Sequence, residues 1–311
     1  MILYKKNDWI EAIFQFHRGS AARILFRRIA VAGVYVTLVV VAELNFMDLR
    51  LKDVPAGYLS TLGILLSLLL LFRTNTAYDR FYEGRRAWGT LVNTSRNLAV
   101  LLNAVLPADA PAQRSYFAKV IANFPFALRN HLRSASPLDD LEPTDDEAHL
   151  SRPFDAVEHV PMRVVSQLRD RIEQLARDGL ISDAQSINLN ALTIILLDVA
   201  GICERIRSTP IPFSYSFFIK LFITAYVMLL PFIVVDALGY LAIPAALITA
   251  YVMLGLETIG EEIEDPFGNE RNDLPLTQLS KMIQGNVYEA FGVYLPRAER
   301  PKTDPRYLVV T

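Results

Sequence analysis

Apolar residues in this chain are concentrated in four blocks that are separated by polar sequence. The second block holds 19 residues without a charge, from position 54 to 72, and ends at Arg73. A helix of that length covers roughly 28 Å, close to the hydrocarbon thickness of a bilayer. No proline interrupts the polar sequence that follows, up to position 105. One helix is therefore predicted to leave the membrane and to continue beyond it.

The other three blocks cover residues 29–42, 221–235 and 237–256. The first has only 14 uncharged residues, so flanking aromatic residues and neighbouring helices must complete the span. The last two are separated by Asp236 alone, and they are predicted to form a tight helical hairpin. Lys220, just before the third block, can extend its ammonium group towards the membrane surface. The chain is thus predicted to contain four transmembrane helices.

The charges beside these blocks indicate an orientation. Basic residues precede the first span (Lys5, Lys6, Arg18, Arg23, Arg27 and Arg28) and follow the second (Arg73, Arg80, Arg85, Arg86 and Arg96). The positive-inside rule then assigns both termini and the long middle region to the cytoplasm. The N-terminal sequence lacks a long apolar core followed by small residues, so no cleaved signal peptide is expected.

The middle region is predicted to be helical and not a linker. Its helices are expected at residues 74–105, 112–134, 161–178 and 183–208, with Ser182 or Asp183 as the N-cap of the last one. A stretch rich in proline and aspartate at 136–149 is predicted to be an exposed connection, and no convincing alternating strand is present. The predicted fold is all-α, with transmembrane helices that continue into a cytosolic helical bundle. The predicted regions are 1–28 (cytosolic), 29–72 (helices one and two), 73–209 (cytosolic), 210–257 (helices three and four) and 258–311 (cytosolic).

Composition and motifs argue against enzymes and nucleic-acid binding. The 311 residues have a mean hydropathy of +0.27, which favours a membrane protein. The net charge of −2 gives no overall positive electrostatic potential that would attract nucleic acid. The single cysteine, Cys203, excludes an intramolecular disulfide and a multi-cysteine metal site. Phosphate-binding loops, nucleophile elbows and zinc-protease motifs are missing from the sequence. The four histidines are scattered along it, so neither a histidine metal site nor a cofactor is expected.

Two clusters could carry chemistry. Carboxylates gather at the end of the fourth block (Glu257, Glu261, Glu262, Glu264 and Asp265), where they suggest either a hard-cation site or, preferably, a solvated helix face. In the second block Ile64, Leu68 and Phe72 form an apolar stripe at helical spacing. Such a stripe usually faces lipid or another helix, and it can also line a pore.

Four motifs in order resemble those of the bestrophin family, including its bacterial branch. They are Arg18-Gly19-Ser20, the stripe placed eight residues before Arg80-Phe81-Tyr82-Glu83, Ile211-Pro212, and Glu261-Glu262-Ile263-Glu264-Asp265-Pro266-Phe267-Gly268. The resemblance extends over about residues 10 to 290. It implies a homopentameric channel, multi-pass in the bacterial inner membrane, that passes small monovalent ions. Its partners would be copies of itself, lipid and the permeating ions.

The same resemblance implies roles for particular residues. Ile64, Leu68 and Phe72 would form a pore neck, with Arg80, Phe81 and Tyr82 as the family motif beside it. A second constriction near the cytosolic exit maps onto Ile181 to Gln185. Animal members conduct chloride, so an anion channel is favoured, with a sodium or potassium channel of the same architecture as the alternative.

Calcium binding is not expected from the resemblance. Animal members bind calcium through an acidic run after Pro-Phe-Gly, and this chain has Asn269-Glu270-Arg271-Asn272-Asp273 there. Arg271 introduces a positive charge and interrupts the acidic run; Glu270 and Asp273 are weak candidate ligands, and Glu262 lies at an upstream ligand position. Two further classes stay open from the sequence: a membrane-anchored scaffold without ion flux, and a membrane enzyme that uses the carboxylate cluster.

Overall fold

The computed structural model describes residues 2–4, 20–46, 56–107, 109–136, 138–144, 157–270, 272–293 and 307–309. These residues form eight α-helices and one antiparallel pair of three-residue strands. The helices are α1 (Ser20–Asn45), α2 (Ala56–Val105), α3 (Pro111–Arg133), α4 (Val160–Arg177), α5 (Asp183–Ser208), α6 (Phe213–Leu238), α7 (Ala242–Glu264) and α8 (Leu276–Ala290). The strands are β1 (Ile2–Tyr4) and β2 (Tyr307–Val309), paired with Leu3 opposite Leu308. The helical prediction is confirmed, and the strand pair is the element that it lacked.

Helix α2 is continuous over 50 residues. The apolar second block and the polar sequence after it therefore belong to one helix, as predicted. Thr74 and Thr76 lie where the sequence turns polar, and their hydroxyls donate to the carbonyls of Leu70 and Phe72 one turn earlier. These bonds satisfy the two hydroxyls within the helix itself, although they share carbonyl acceptors with its backbone hydrogen bonds.

The chain divides into two compact units. The first, called here the apolar unit, comprises residues 5–81 and 210–265 and thus α1, the first half of α2, α6 and α7. Helix α1 packs against α6 and α7. Buried apolar side chains from all four helices form its core; the members include Ala32, Leu66, Leu70, Ile219, Ile223, Ala250 and Met253. A Cβ on Gly63 would lie 3.0 Å from the Tyr226 hydroxyl, so this glycine permits a close approach of α2 and α6.

Helices α6 and α7 form the predicted hairpin, but its turn lies elsewhere than expected. Asp236 is inside α6, and the chain reverses at a short 3₁₀ turn over Gly239–Leu241. Gly239 has φ of +54°, a backbone conformation that only glycine adopts without strain. Pro231 lies within α6 and does not end it.

The second unit, called here the bundle unit, comprises residues 1–4, 82–209 and 266–311. Helix α3 packs against α4 and α8, and α4 packs against α5. Ser182, one of the two predicted residues, is the N-cap of α5. Its hydroxyl oxygen accepts from the backbone N–H of Gln185, and the side-chain oxygen of Gln185 accepts from the backbone N–H of Ser182. His159 caps α4, and its side chain accepts from the backbone N–H of Met162.

Four stretches of described residues are long and apolar enough to cross a membrane: 22–45, 57–105, 183–208 and 213–264. The last contains both α6 and α7, so the four helices predicted to span are all among these stretches. Helix α5 also qualifies, although the sequence analysis assigned it to the cytosol. Its apolar side chains have another explanation, since Leu189, Leu196 and Val199 are buried within the bundle unit.

Candidate functional site

One face of α2 packs into the apolar unit. Its buried side chains recur at helical spacing: Leu59, Leu66, Leu70, Arg73 and Ala77. At 3.6 residues per turn these positions share a single side of the helix. The burial of Arg73 among them is unusual, because arginine is almost never fully buried unless it is paired.

The opposite face of α2 carries the predicted stripe. Ile64, Leu68 and Phe72 are 70%, 46% and 54% exposed, and we call these three residues the exposed stripe. Helical periodicity puts them directly across the helix from Leu66 and Leu70. The same stripe continues one and two turns further with Asn75 and Asp79, which are also exposed. An apolar surface on α2 thus gives way to a polar one that ends in a carboxylate.

Charged residues hold the packed face of α2 in position. Arg73 donates to Glu257 on α7 at 2.9 Å, and both side chains are only 2% exposed. Glu257 also pairs with Arg28 on α1, while Lys220 on α6 lies 3.0 Å from Glu261. We call these five residues the charge cluster. It ties together all four helices of the apolar unit.

This arrangement corrects the expectation that the carboxylates at the end of the fourth block form a solvated helix face. Glu257, Glu261 and Glu264 do share a face of α7, but Glu257 is 2% exposed and Glu261 44% exposed, so that face is solvated only in part. The buried carboxylate is neutralised by arginines, because a charge is removed from water only with partners. Cationic side chains therefore occupy the positions that a hard metal ion would need.

Three segments of the family resemblance meet at Glu264. Its carboxylate accepts from the backbone N–H of Ile211 at 2.9 Å and lies 3.8 Å from the Arg73 guanidinium. Its backbone carbonyl accepts from Nε of Arg80 at 3.1 Å. The Ile-Pro segment, the Arg-Phe-Tyr motif and the acidic end of α7 are thus parts of one local structure. Spacing along the sequence gives no indication of that contact.

The residues of the predicted second constriction lie in the bundle unit, as does Tyr82 of the family motif. Ile181 is buried, and Gln185 is exposed but engaged in the cap of α5. The exposed apolar neighbours there are Leu180 and Ile187. Tyr82 is exposed, with the guanidinium of Arg86 5.9 Å from its ring centroid.

The turn of the Pro-Phe-Gly segment is held by α2 and α3. Arg133 donates to the carbonyl of Phe267 at 3.2 Å, and burial together with nearby Arg129 lowers the pKa of the Arg133 guanidinium. A Cβ on Gly84 would lie 3.0 Å from the Phe267 ring, so only glycine admits that ring.

Among the described residues, the three calcium candidates are not found as a group of possible metal ligands. Asp273 is buried, and its carboxylate accepts from the backbone N–H of Glu270 at 2.6 Å. Glu262 belongs to the apolar unit and the other two to the bundle unit. Arg271, like Arg18 and Gly19 of the first motif, lies outside the described residues.

A second polar cluster was missed by the sequence analysis. His131, His159 and Glu204 converge in the bundle unit, although the histidines are scattered in sequence. The ring centroids of the two histidines are 4.7 Å apart. Burial and the neighbouring His159 lower the pKa of His131, although Glu204 opposes this shift, so His131 favours its neutral form. The sequence contains no signal for this cluster, because its three residues come from distant parts of the chain.

Comparison with known proteins gives the family. The described residues define a helical membrane protein in which an uncovered apolar helix face lies opposite a buried ion pair. A family model described as bacterial/fungal bestrophin protein matches residues 1–289. The chain belongs to this family.

Individual relatives agree with this assignment. The chain is 35% identical over 292 residues to the voltage-dependent anion channel-forming protein alr2987 of Nostoc, covering 91% of both chains. It is 31% identical to the voltage-dependent anion channel-forming protein YneE of Escherichia coli K12, covering 91% of this chain and 92% of the relative. A crystal structure of a bacterial bestrophin homologue from Klebsiella pneumoniae superposes with a TM-score of 0.79 at 28% identity, covering 87% of this chain and 99% of that one.

Proposed function

We propose that this protein is an anion channel, assembled as a homopentamer in the bacterial inner membrane. The observation that carries the proposal is the exposed stripe, an apolar face that α2 turns away from the core of its own chain. The names of the relatives, which describe anion channel-forming proteins, support the same function. Five copies of α2 would then surround a central pore, with both termini in the cytoplasm.

The stripe would act as a narrow apolar neck. Side chains of isoleucine, leucine and phenylalanine offer no hydrogen bonds to replace the hydration shell of an ion. A constriction of this kind controls conduction by its width and its wetting, not by coordination. The charge cluster on the other side of α2 would fix the direction in which the stripe points.

The proposed membrane region is the four-helix core at residues 29–72 and 210–257, and the proposed cytosolic bundle is residues 73–209. Within that bundle we keep a second constriction near Ile181 and Gln185 as a proposal. Since Ile181 is buried, the exposed Ile187 is the side chain of this region that we would test first.

Cation conduction is a second candidate, and one observation favours it. Asp79 is exposed on the same face of α2 as the stripe. In a pentamer it would present five carboxylates close to the neck, and fixed charges near a narrow pore concentrate counter-ions and repel co-ions. Anion conduction remains the preferred function because of the relatives' names.

A flux experiment tests the neck. Purified protein in planar bilayers should show larger conductance or open probability when Ile64, Leu68 and Phe72 are all replaced by alanine. The matched control replaces Val31, Val34 and Leu38 of α1, which are equally exposed and apolar but lie on another helix. Unchanged currents in the first variant, or equal changes in both, would contradict the neck assignment.

The sign of the ion, the existence of ion flux and the pentamer each need a further measurement. A KCl gradient across the bilayer gives a reversal potential near the chloride equilibrium potential for an anion channel, and near the potassium value for a cation channel. A scaffold would give no ion flux in proteoliposomes. Native mass spectrometry of the detergent-solubilised protein tests the pentamer.

A further inference from the structure

Three side chains from three helical segments of the bundle unit converge on one point. His131 lies in the last turn of α3, His159 is the N-cap of α4, and Glu204 is on α5. Their donor atoms lie within 4.8 Å of one another. The Nε2 atoms of His131 and His159 are 3.0 and 2.7 Å from the same carboxylate oxygen of Glu204. Neither the exposed stripe nor the charge cluster involves these residues.

We propose that His131, His159 and Glu204 form a zinc-binding site. Two imidazole nitrogens and one carboxylate oxygen are the donors of zinc sites that leave one coordination position open. With zinc–ligand distances of roughly 2.0–2.1 Å, the corners of a tetrahedral site are about 3.3 Å apart. The two nitrogen–oxygen distances would need to increase by only a few tenths of an ångström.

The surroundings suit an exchangeable ion. All three side chains are about one-third exposed, and a cavity of about 260 Å³ reaches the imidazole of His131. This cavity is also lined by Glu158 and Arg207, so charges of both signs face it. Arg207 donates to the backbone carbonyl of His131 at 2.6 Å and thereby fixes the end of α3 that carries this ligand. The open coordination position has room for a water molecule.

The hydrogen bonds of His159 give the site a distinctive property. Its Nδ1 accepts from the Met162 N–H at 3.1 Å, so the ring proton is on Nε2 and is donated to Glu204. Zinc at Nε2 needs the lone pair of that nitrogen. The ring stays neutral, so its proton must then move to Nδ1, which ends the hydrogen bond from Met162 and with it the cap. Zinc binding thus competes with the N-cap of α4, an effect that a purely hydrogen-bonded cluster would not produce.

Single substitutions can separate ligation from folding. His131→Ala and Glu204→Gln each remove one ligand. His159→Asn removes the third ligand but supplies one of the strongest N-cap residues, so the start of α4 is retained. The matched control is the double variant His17→Ala/His149→Ala, which removes the chain's other two histidines. Thermal unfolding of each variant without zinc shows whether the fold is kept.

The binding experiment uses the full chain in detergent, stripped with a chelator and titrated with ZnCl₂ against a chromophoric chelator. One zinc per chain is expected, with affinity lowered at least roughly tenfold in each ligand variant, as loss of a metal partner does. The control should bind as the unmodified protein does. Equal affinity in the ligand variants, or loss of binding in the control, would overturn the proposal and indicate adventitious surface binding.

Two measurements on the unmodified protein do not depend on any variant. Bound Co²⁺ should give the intense visible absorption of a four-coordinate site, and a weak six-coordinate spectrum would overturn the proposal. Hydrogen exchange at the Met162 amide should become faster when zinc is added, because its acceptor is lost. Exchange that stays unchanged on saturation with zinc would rule out His159 Nε2 as a ligand.

Discussion

The two faces of α2 in the apolar unit depart from the usual rule for helices at one buried charge and three exposed apolar side chains. In water-soluble proteins the packed face of a helix is apolar and the outer face is charged. Here the packed face contains the buried Arg73, whereas the outer face presents Ile64, Leu68 and Phe72. An arginine can be buried because Glu257 is buried with it. The exposed apolar side chains indicate an environment other than bulk water, such as lipid, other copies of the chain or a narrow pore.

The largest expected effect comes from the packed face. Arg73→Met leaves Glu257 buried with fewer cations, and removing one partner of a buried ion pair costs about 3 kcal/mol or more of folding free energy. Denaturant unfolding in mixed micelles measures this loss. The exposed Arg85→Met serves as the control and should change stability little. The double variant Arg73→Met/Glu257→Met should recover much of the loss, since the buried carboxylate that lost its partner is then gone. Arg28 and Lys220 keep Glu261 as a partner.

A smaller effect is expected at the contact between α2 and α6. Gly63→Ala brings a Cβ to 3.0 Å from the Tyr226 hydroxyl, so that the tyrosine ring or one of the two helices must move by a few tenths of an ångström. Overpacking of this kind costs about 1–2 kcal/mol. Gly57→Ala on the same helix is the control, because nothing lies within 4 Å of its added Cβ. A Gly63 variant as stable as the Gly57 variant would show that this contact is loose.

The exposed stripe should be nearly neutral for folding. Replacing Ile64, Leu68 and Phe72 by alanine removes little buried area from the apolar unit, so its unfolding free energy should change by about 1 kcal/mol or less. Conductance should change strongly in the same protein. Severe destabilisation of the isolated, detergent-bound chain would show that these residues belong to the core. The proposed difference between the two faces of α2 would then be wrong.

The smallest effect on stability is expected at Asp79. Asp79→Asn removes an exposed charge and should leave folding unchanged within about 0.5 kcal/mol. Its effect should appear in ion selectivity, as a shift of the reversal potential in a KCl gradient towards the chloride equilibrium value. Asn75→Ala provides a control without a charge change. An unaltered reversal potential would mean that Asp79 does not face the ion path.

Much of the helical structure was predictable because its signals are local. The predicted helices 112–134 and 161–178 differ by one residue at each end from α3 and α4, and the predicted 183–208 coincides with α5. Caps, prolines and apolar periodicity lie within the segments that they define. The turn between α6 and α7 was placed at Asp236 and not at Gly239, because a charge was taken as a boundary where backbone conformation decides.

The site was predictable only in part, because its contacts join distant parts of the chain. The periodicity of α2 gave the stripe itself. The burial of Glu257 depends on Arg28 and Arg73, which are 229 and 184 residues away. His131, His159 and Glu204 likewise come from three separate helical segments. One sequence contains no signal for such pairings.

The continuity of α2 restricts how a pore made from it could open. Arg73 and Phe72 are adjacent on one unbroken helix, so turning the helix about its own axis moves both side chains by the same angle. Any rotation that would move the exposed stripe away from a pore axis would also move Arg73 away from Glu257. That movement would break an ion pair whose two side chains are buried. The charge cluster thus opposes rotation of α2 about its own axis. If α2 lines a pore as proposed, its widening would come from side-chain rotamer changes or from outward tilting of α2 together with its partner helices.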